Sequence, residues 1–587
     1  MIKKETGMKQ MKNRKVMLGI IVLTAICGCR SVRTHESILK EQISGLDKLG
    51  NVMVITREDG SGTRSTFSQL TGFDEKNKET GASDLTRTDA ETADSASLVL
   101  ETIAQEKNAI GYVSMGALDD VQGVKVLQID GKTLNAETVQ KNFKHTAKAE
   151  KRKRRRNMGR IFYLDAVNGN DENSGITPDA ALKSLEAANQ ILFGAGDKLL
   201  LKCGCEWKGM LCPHGDGDRF QFAQIGTYGD GEAPLIDGNG AYAAILLDGV
   251  SYWKVKGLRI CNHSSERCVR QGICISAKSE GITAGIEISD CEIFEVDGEN
   301  RRAMPVYQSM YWNGAVYVTF PGRTSAQDHL HDIIISNNYI HDVRTSGIRV
   351  NQQEDFINDI HHTHVVVRGN RIERTGSDGI IVANCISPLI DSNVCFDAGE
   401  LGTLEDTQLI AGIWVCATRD ALIQRNEVAR TRMFENDGTA FDTDWGTAGT
   451  TVFQYNYSHD NEGGFWLDCM KLNHNRDCEK TILRYNISMR DGRGIAVYDQ
   501  GILAEWYGNL FYNENPIQIC CFDEGENFHF ANNVFCVLKE TEWQKARYED
   551  NIVNDEKWRE LLQDEIRNSN WRDVVMEKLC KLVGVKR

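Results

Sequence analysis

Between Phe441 and Asp468 the chain reads FDTDWGTAGTTVFQYNYSHDNEGGFWLD, a stretch that carries Asp442, Asp444, His459, Asp460, Glu462 and Asp468. The aromatic residues Trp445, Tyr457, Phe465 and Trp466 accompany them. Paired carboxyl groups beside flat apolar faces suit cleavage of a glycosidic bond. One carboxyl protonates the leaving oxygen, the other attacks or activates water, and aromatic faces hold the sugar ring. The catalytic candidates are Asp442, Asp444, Asp468, His459 and Glu462. Trp445, Trp466 and Asp499 are candidate substrate contacts.

Spacing sharpens this reading. Asp442 stands four residues after Gly438 and Asp468 four after Gly464, while Asp499 stands five after Gly494. If these glycines mark equivalent points of stacked strands about 4.8 Å apart, Asp442 and Asp468 occupy equivalent places. One step of separation would suit the roughly 5–5.5 Å between carboxyls of retaining glycosidases, and two steps the roughly 6.5–9.5 Å of inverting ones. Strand alternation puts Asp442 and Asp444 on one face. Two stacked carboxyls also push one pKa upward, as a general acid requires. A second reading makes Asn456, His459 and Asn461 structural, because Asn338-Tyr-Ile-His341-Asp342 repeats the form of Asn456-Tyr-Ser-His459-Asp460.

The elements that must hold these residues form a repeat. An Asn-x-apolar or similar triplet recurs at Asn338, Asn370, Asn393, Asn426, Asn456, Asn486, Asn509 and Asn533, in steps of 32, 23, 33, 30, 30, 23 and 24 residues. Glycine before an apolar strand tracks it at Gly347, Gly379, Gly412, Gly464 and Gly494. Two or three short strands per unit, with no helix between them, describe rungs of a parallel β-helix that buries one continuous apolar interior. The recurring Asn would stack as a ladder at a turn. An antiparallel propeller or sandwich is the competing architecture, but the units lack Asn-Gly hairpin turns.

The stretch from Ile161 to Trp207, IFYLDAVNGNDENSGITPDAALKSLEAANQILFGAGDKLLLKCGCEW, resembles the opening of right-handed parallel β-helix proteins related to polysaccharide lyases and glycoside hydrolases. The resemblance covers about residues 160–540. It implies a cap built on Asn168–Asp171, Gly175 and a helix over 180–192, then a first core strand at 198–201. It implies carbohydrate-active chemistry on a polysaccharide or oligosaccharide. Hydrolysis by paired aspartates needs no cofactor. The alternative is a uronate lyase, which would need Ca²⁺ and a basic residue such as Arg349, Arg371, Arg374 or Lys471. A third reading is a surface solenoid that binds glycan without cleaving it. Residues 541–587 have helical apolar spacing and are expected to pack across the C-terminal end.

The first 159 residues read differently. Lys9, Lys12, Arg14 and Lys15 precede an apolar run, Val16–Ile26, and Ile26-Cys27-Gly28-Cys29 follows. That order predicts a lipoprotein signal over 1–29, with Cys29 lipidated and the protein tied to a membrane only by that anchor. Residues 45–145 have an α/β pattern. Arg57-Glu58-Asp59-Gly60-Ser61-Gly62-Thr63 lies at a strand-to-helix turn, where free N–H groups and hydroxyls suit an anion. This segment resembles the second lobe of periplasmic phosphate-binding proteins of ABC transporters. The resemblance implies phosphate contacts at Arg57, Asp59, Ser61, Gly62 and Thr63. With no first lobe, it implies weak or relic binding.

The run Lys151–Arg156 marks a linker over 146–159, since six like charges repel and stay solvated. Met158 is a possible internal start, which would make the remainder cytoplasmic. The net charge of −15 argues against nucleic-acid binding. The 18 cysteines show no zinc-type spacing, so no metal site is expected. Their number suits a reducing compartment, in conflict with the export signal.

Overall fold

The computed structural model describes residues 159–584 apart from 267, 300–311, 321–327, 353–359, 403–409, 435–436, 470–477, 499–502, 522–526, 544 and 563–570. Ahead of them it describes Ile2–Lys3, Met53–Arg57, Glu91–Ala93, Val99, Ala109–Gly111 and Gln128–Ile129. The chain divides into two units, Met1–Asn157 and Met158–Arg587.

In the first unit, Met53–Arg57 is the middle strand of a parallel three-stranded sheet, flanked by Glu91–Ala93 and Ala109–Gly111. The expected anion motif begins at the C-terminal end of this central parallel strand, where α/β sheets usually bind ligands. Arg57 closes that strand. Cys29, Asp59, Ser61, Gly62 and Thr63 lie outside the described residues.

The second unit is a right-handed parallel β-helix with a short helical tail. Three long sheets run its length, and every strand pairs in parallel with its counterparts in the neighbouring rungs. We name the sheets by their strands in the rung that carries Asp468: sheet A holds Tyr457–His459, sheet B holds Gly464–Asp468, and sheet C holds Cys478–Arg484. Inward rows are apolar. In sheet B one row reads Ile348, Ile380, Ile413, Phe441, Trp466, Ala496. In sheet C a row reads Ile335, Val367, Ile390, Ile423, Phe453, Leu483, Trp506, Phe530.

The recurring Asn is the corner between sheets C and A. A left-handed residue such as Ser392, Arg425, Tyr455 or Tyr485 (φ 55–58°) turns the chain, and the buried Asn follows. Asn456 is typical. Its Nδ2 donates to Asn486 Oδ1 at 3.0 Å and to Ile423 O at 3.0 Å, and its backbone N–H also donates to Asn486 Oδ1. The same pattern links Asn338, Asn370, Asn393, Asn426, Asn456, Asn486, Asn509, Asn533 and Asn551 without a break. Left-handed non-glycine backbone is unfavourable. The ladder offsets that cost by satisfying buried amides in every rung.

The ends differ in detail from expectation. Ile161–Leu164 precedes and pairs with Lys198–Lys202, so the latter is the second strand of sheet C. The cap helix is only Leu185–Asn189, because Ser184 caps it by accepting the Ala187 N–H. Strands continue to Ile552–Val553, beyond residue 540. The tail helix Trp571–Leu582 lies along the outer face of sheet A, where Ile487, Met489, Leu510 and Val534 present an apolar strip to Val575, Met576 and Leu579. It follows that strip because that is where unburied apolar area remains. None of the described cysteines forms a disulfide.

Candidate functional site: an aspartate cluster on sheet B

Strand Thr439–Thr443 follows Gly438, whose φ of +93° suits glycine. Phe441 packs inward against Phe453 and Phe465, with ring centroids 5.8 and 5.6 Å apart. Alternation then turns Asp442 outward, into a row that runs Arg349, Ile381, Trp414, Asp442, Leu467. Asp442 is nonetheless buried, at 6% exposure. Its Oδ1 makes no hydrogen bond.

Asp442 faces Leu467, not Asp468, which is paired with Thr443. The expected equivalence of Asp442 and Asp468 is corrected by one residue. Gly438 aligns with Gly463, whose N–H donates to Gly438 O at 2.9 Å, so Gly464 is not the counterpart of Gly438. Asp468 therefore continues the inward row Val382, Val415, Thr443, whereas Asp442 faces outward, so the two aspartates belong to opposite faces of adjacent rungs.

Burial first, then the charges of Asp444, Asp437, Asp468 and Asp378, hold the Asp442 carboxyl well above the usual carboxylate range. Burial and the same carboxylates Asp442, Asp444, Asp437 and Asp468 push up the Cys469 thiol. Burial, Asp444 and Asp442 push up the Cys416 thiol. Four aspartates thus share one locale. Asp442 and Asp468 are buried in it, whereas Asp437 and Asp444 are half-buried. Asp444 Oδ1 accepts the Trp445 N–H at 2.7 Å, and Trp445 is also half-buried.

One rung pair further toward the N-terminus, Asp378 anchors this outer row. Its Oδ1 accepts the Trp414 indole N–H at 2.9 Å and the Ala411 N–H at 3.0 Å. Its Oδ2 accepts from Ser377 Oγ at 2.9 Å and Arg349 Nη2 at 3.4 Å.

Other expected residues lie elsewhere. Trp466 belongs to the core row between Phe441 and Ala496, is fully buried, and donates its indole N–H to Thr443 Oγ1 at 3.1 Å. It offers no face to a sugar, because its position along the strand is an inward one. His459 lies on the outer face of sheet A. It stacks on Tyr457, and its Nδ1 lies 2.7 Å from Asp460 Oδ2. Glu462 is exposed at the corner between sheets A and B, where it accepts from Arg432 Nη1 at 2.9 Å and the Met433 N–H at 2.8 Å. Asp499 and Lys471 lie outside the described residues. Of the basic residues weighed for a lyase, Arg349 is fully buried. Arg371 is paired with Glu373, and Arg374 with Asp342 at 2.7 Å.

Sequence reasoning passed over Asp378 and Asp437. Both directly precede the glycine that heads a sheet B strand, as Asp378-Gly379 and Asp437-Gly438. That shared Asp-Gly pair was the available signal. A groove of about 720 Å³ lies on sheet C instead, lined by Tyr485, Glu505, Tyr507, His529, Arg547 and Val583. It contains none of these aspartates.

No protein-family model matches the chain. It is 26% identical over 471 residues to a lacto-N-biosidase of Bifidobacterium longum subsp. longum, covering 64% of this chain and 29% of that protein. Over 90 residues it is 40% identical to phosphate-binding protein PstS 2 of Streptococcus agalactiae, covering 15% of this chain and 30% of that protein. The chain thus spans under a third of the length of each of these relatives. Among solved structures it resembles the GH136 lacto-N-biosidase of Eubacterium ramulus, with a TM-score of 0.54, 23% identity, and coverage of 71% of this chain and 72% of that one. The β-helix fold is therefore shared with a glycan-cleaving protein, and the N-terminal region resembles phosphate-binding proteins.

Proposed function

We propose that the β-helix is a glycoside hydrolase of the lacto-N-biosidase kind, cleaving an oligosaccharide at the aspartate cluster of sheet B. The observation that carries this is the outward-facing, buried Asp442 on strand Thr439–Thr443, flanked by the half-buried Asp437 before the strand and the half-buried Asp444 and Trp445 after it. The likeness to the Bifidobacterium enzyme supports it.

Among the aspartates, Asp437 and Asp444 are the ones with surface to offer a glycosidic bond. One donates a proton to the leaving oxygen, and the other attacks the anomeric carbon or activates water. Asp442, buried beside them, acts as a positioning residue. Trp445 supplies the apolar face for the sugar. No metal or organic cofactor enters this chemistry.

An aryl lacto-N-bioside tests the proposal. Asp437→Asn and Asp444→Asn should each lower kcat by about 10²- to 10⁴-fold, with the thermal midpoint held within a few degrees. Full activity in both variants would sink it. An unsaturated product formed only with Ca²⁺ would establish a lyase instead.

The N-terminal region supports weak anion contacts at Arg57, Asp59, Ser61, Gly62 and Thr63, and membrane attachment through Cys29. Incorporation of labelled fatty acid, abolished by Cys29→Ser, checks the attachment.

A further inference from the structure

Three adjacent rungs near the start of sheet A bring together side chains that the sugar chemistry does not use. Asp237 ends strand Leu235–Asp237 and pairs in register with Cys261 of strand Arg259–Asn262. Both point away from the core row of Ile236 and Ile260. His263 follows two residues after Cys261, on the same side. One oxygen of Asp237, Cys261 Sγ and one ring nitrogen of His263 lie within 4.8 Å of one another.

We propose that Asp237, Cys261 and His263 bind a divalent cation of borderline softness, of the Zn²⁺ class. The donor set decides the class: a thiolate and an imidazole favour zinc-like ions over Ca²⁺ or Mg²⁺, which prefer all-oxygen shells. The geometry fits. With metal–ligand lengths of about 2.0–2.3 Å, tetrahedral donors stand about 3.3–3.8 Å apart. His263 Nδ1 already stands 3.7 Å from Asp237 Oδ1.

The other ring nitrogen supplies a second, independent sign. His263 Nε2 lies 2.6 Å from Glu295 Oε2, so Nδ1 is left facing Asp237. A carboxylate that holds the far nitrogen of a histidine is the usual support of a metal-bound imidazole. Glu295 reaches it from the next rung through a register shift in the pairing of Arg259–Asn262 with Glu292–Val296, and from a left-handed backbone at φ 47°. Bulges of this kind re-aim side chains.

Asp237 and Cys261 are buried, while the His263 side chain is 48% exposed. The fourth position therefore opens to solvent on the histidine side. On binding, the Cys261 S–H bond breaks, sulfur bonds the cation, and the proton leaves to water. The cation ties two consecutive rungs together near the N-terminal end. Spacing rules missed the site because Asp237 and Cys261 come from separate rungs rather than from one short motif.

The test uses the full chain, stripped with chelator and titrated with Zn²⁺ and Co²⁺. Wild type should take up one Co²⁺ with a near-ultraviolet thiolate charge-transfer band, and Zn²⁺ should raise its thermal midpoint. Cys261→Ser should lose the band. His263→Gln, at an exposed position that leaves folding intact, should lose the Zn²⁺-dependent midpoint shift. Glu295→Gln should weaken affinity by about 10- to 100-fold. Cys268→Ser, an exposed thiol close in sequence, should bind as wild type does. A band retained in Cys261→Ser, or an unchanged midpoint shift in His263→Gln, would overturn the proposal, as would no uptake by wild type.

Discussion

Arg349 and Asp378 form a wholly buried ion pair, Nη2 to Oδ2 at 3.4 Å, with side-chain exposures of 0% and 2%. Arg349 opens the outer row that leads through Trp414 to Asp442, and Asp378 accepts the Trp414 indole N–H in it. Removing one partner strands a buried charge, whereas the pair itself contributes little net stability. Asp378→Ala should cost about 3–5 kcal/mol in denaturant unfolding, while the double replacement Arg349→Met with Asp378→Asn should recover most of that loss. Equal costs for the single and double variants would contradict this.

The Asn ladder predicts a position-dependent penalty. Asn456→Ala deletes the acceptor of two donors from Asn426 and leaves Asn486 Oδ1 and Ile423 O with fewer bonds. Each buried group left unsatisfied costs about 1–3 kcal/mol. Asn551, half-buried in the last rung, should tolerate alanine better. Urea midpoints of the two variants compare them directly.

His459 gives a pH dependence. Burial alone would push its imidazole down, but bonds to Asp460 and Glu427 outweigh it and hold the pKa at about 9. A folded-state pKa raised above the unfolded value near 6.5 contributes stability that is fully present below that value and is lost toward pH 9. Wild type minus His459→Gln stability should therefore shrink between those limits, with activity per folded molecule unchanged. A difference that grows with pH would refute the assignment.

Phosphate provides a check on the first unit. Arg57 ends the central strand of a small parallel sheet, and the family resemblance implies contacts from one lobe only. Calorimetric titration of the full chain with inorganic phosphate should give an affinity weaker than micromolar. Micromolar binding lost in Arg57→Ala would show that half the clamp suffices.

Strand periodicity and the Asn repeat carried the architecture because each rung obeys the same constraint: the second residue after each ladder Asn faces inward, as Val428 does after Asn426, and its neighbours above and below must match. Site geometry was harder to read. Register depends on which glycine meets Gly438, and the sequence offers two adjacent ones, Gly463 and Gly464, of which Gly464 takes the left-handed φ of +118°. That single step moves Asp468 from facing Asp442 to facing Thr443, and it sends Trp466 inward. Asp378 and Asp437 lie in corners, where alternation gives no guidance. The grouping of Asp237, Cys261 and His263 emerges only once the rungs are stacked.

The Asn ladder has one more consequence. Hydrogen bonds within the sheets alternate in direction along each strand, so their dipoles largely cancel. The ladder amides do not alternate. From Asn338 to Asn533 each Nδ2 gives one N–H to the Oδ1 of the next Asn toward the C-terminal end, and from Asn370 to Asn551 each Oδ1 accepts from the Asn before it. The barrel of the molecule therefore carries a polarised rail down one corner, its positive pole at the last rung, as an α-helix carries its own along its axis.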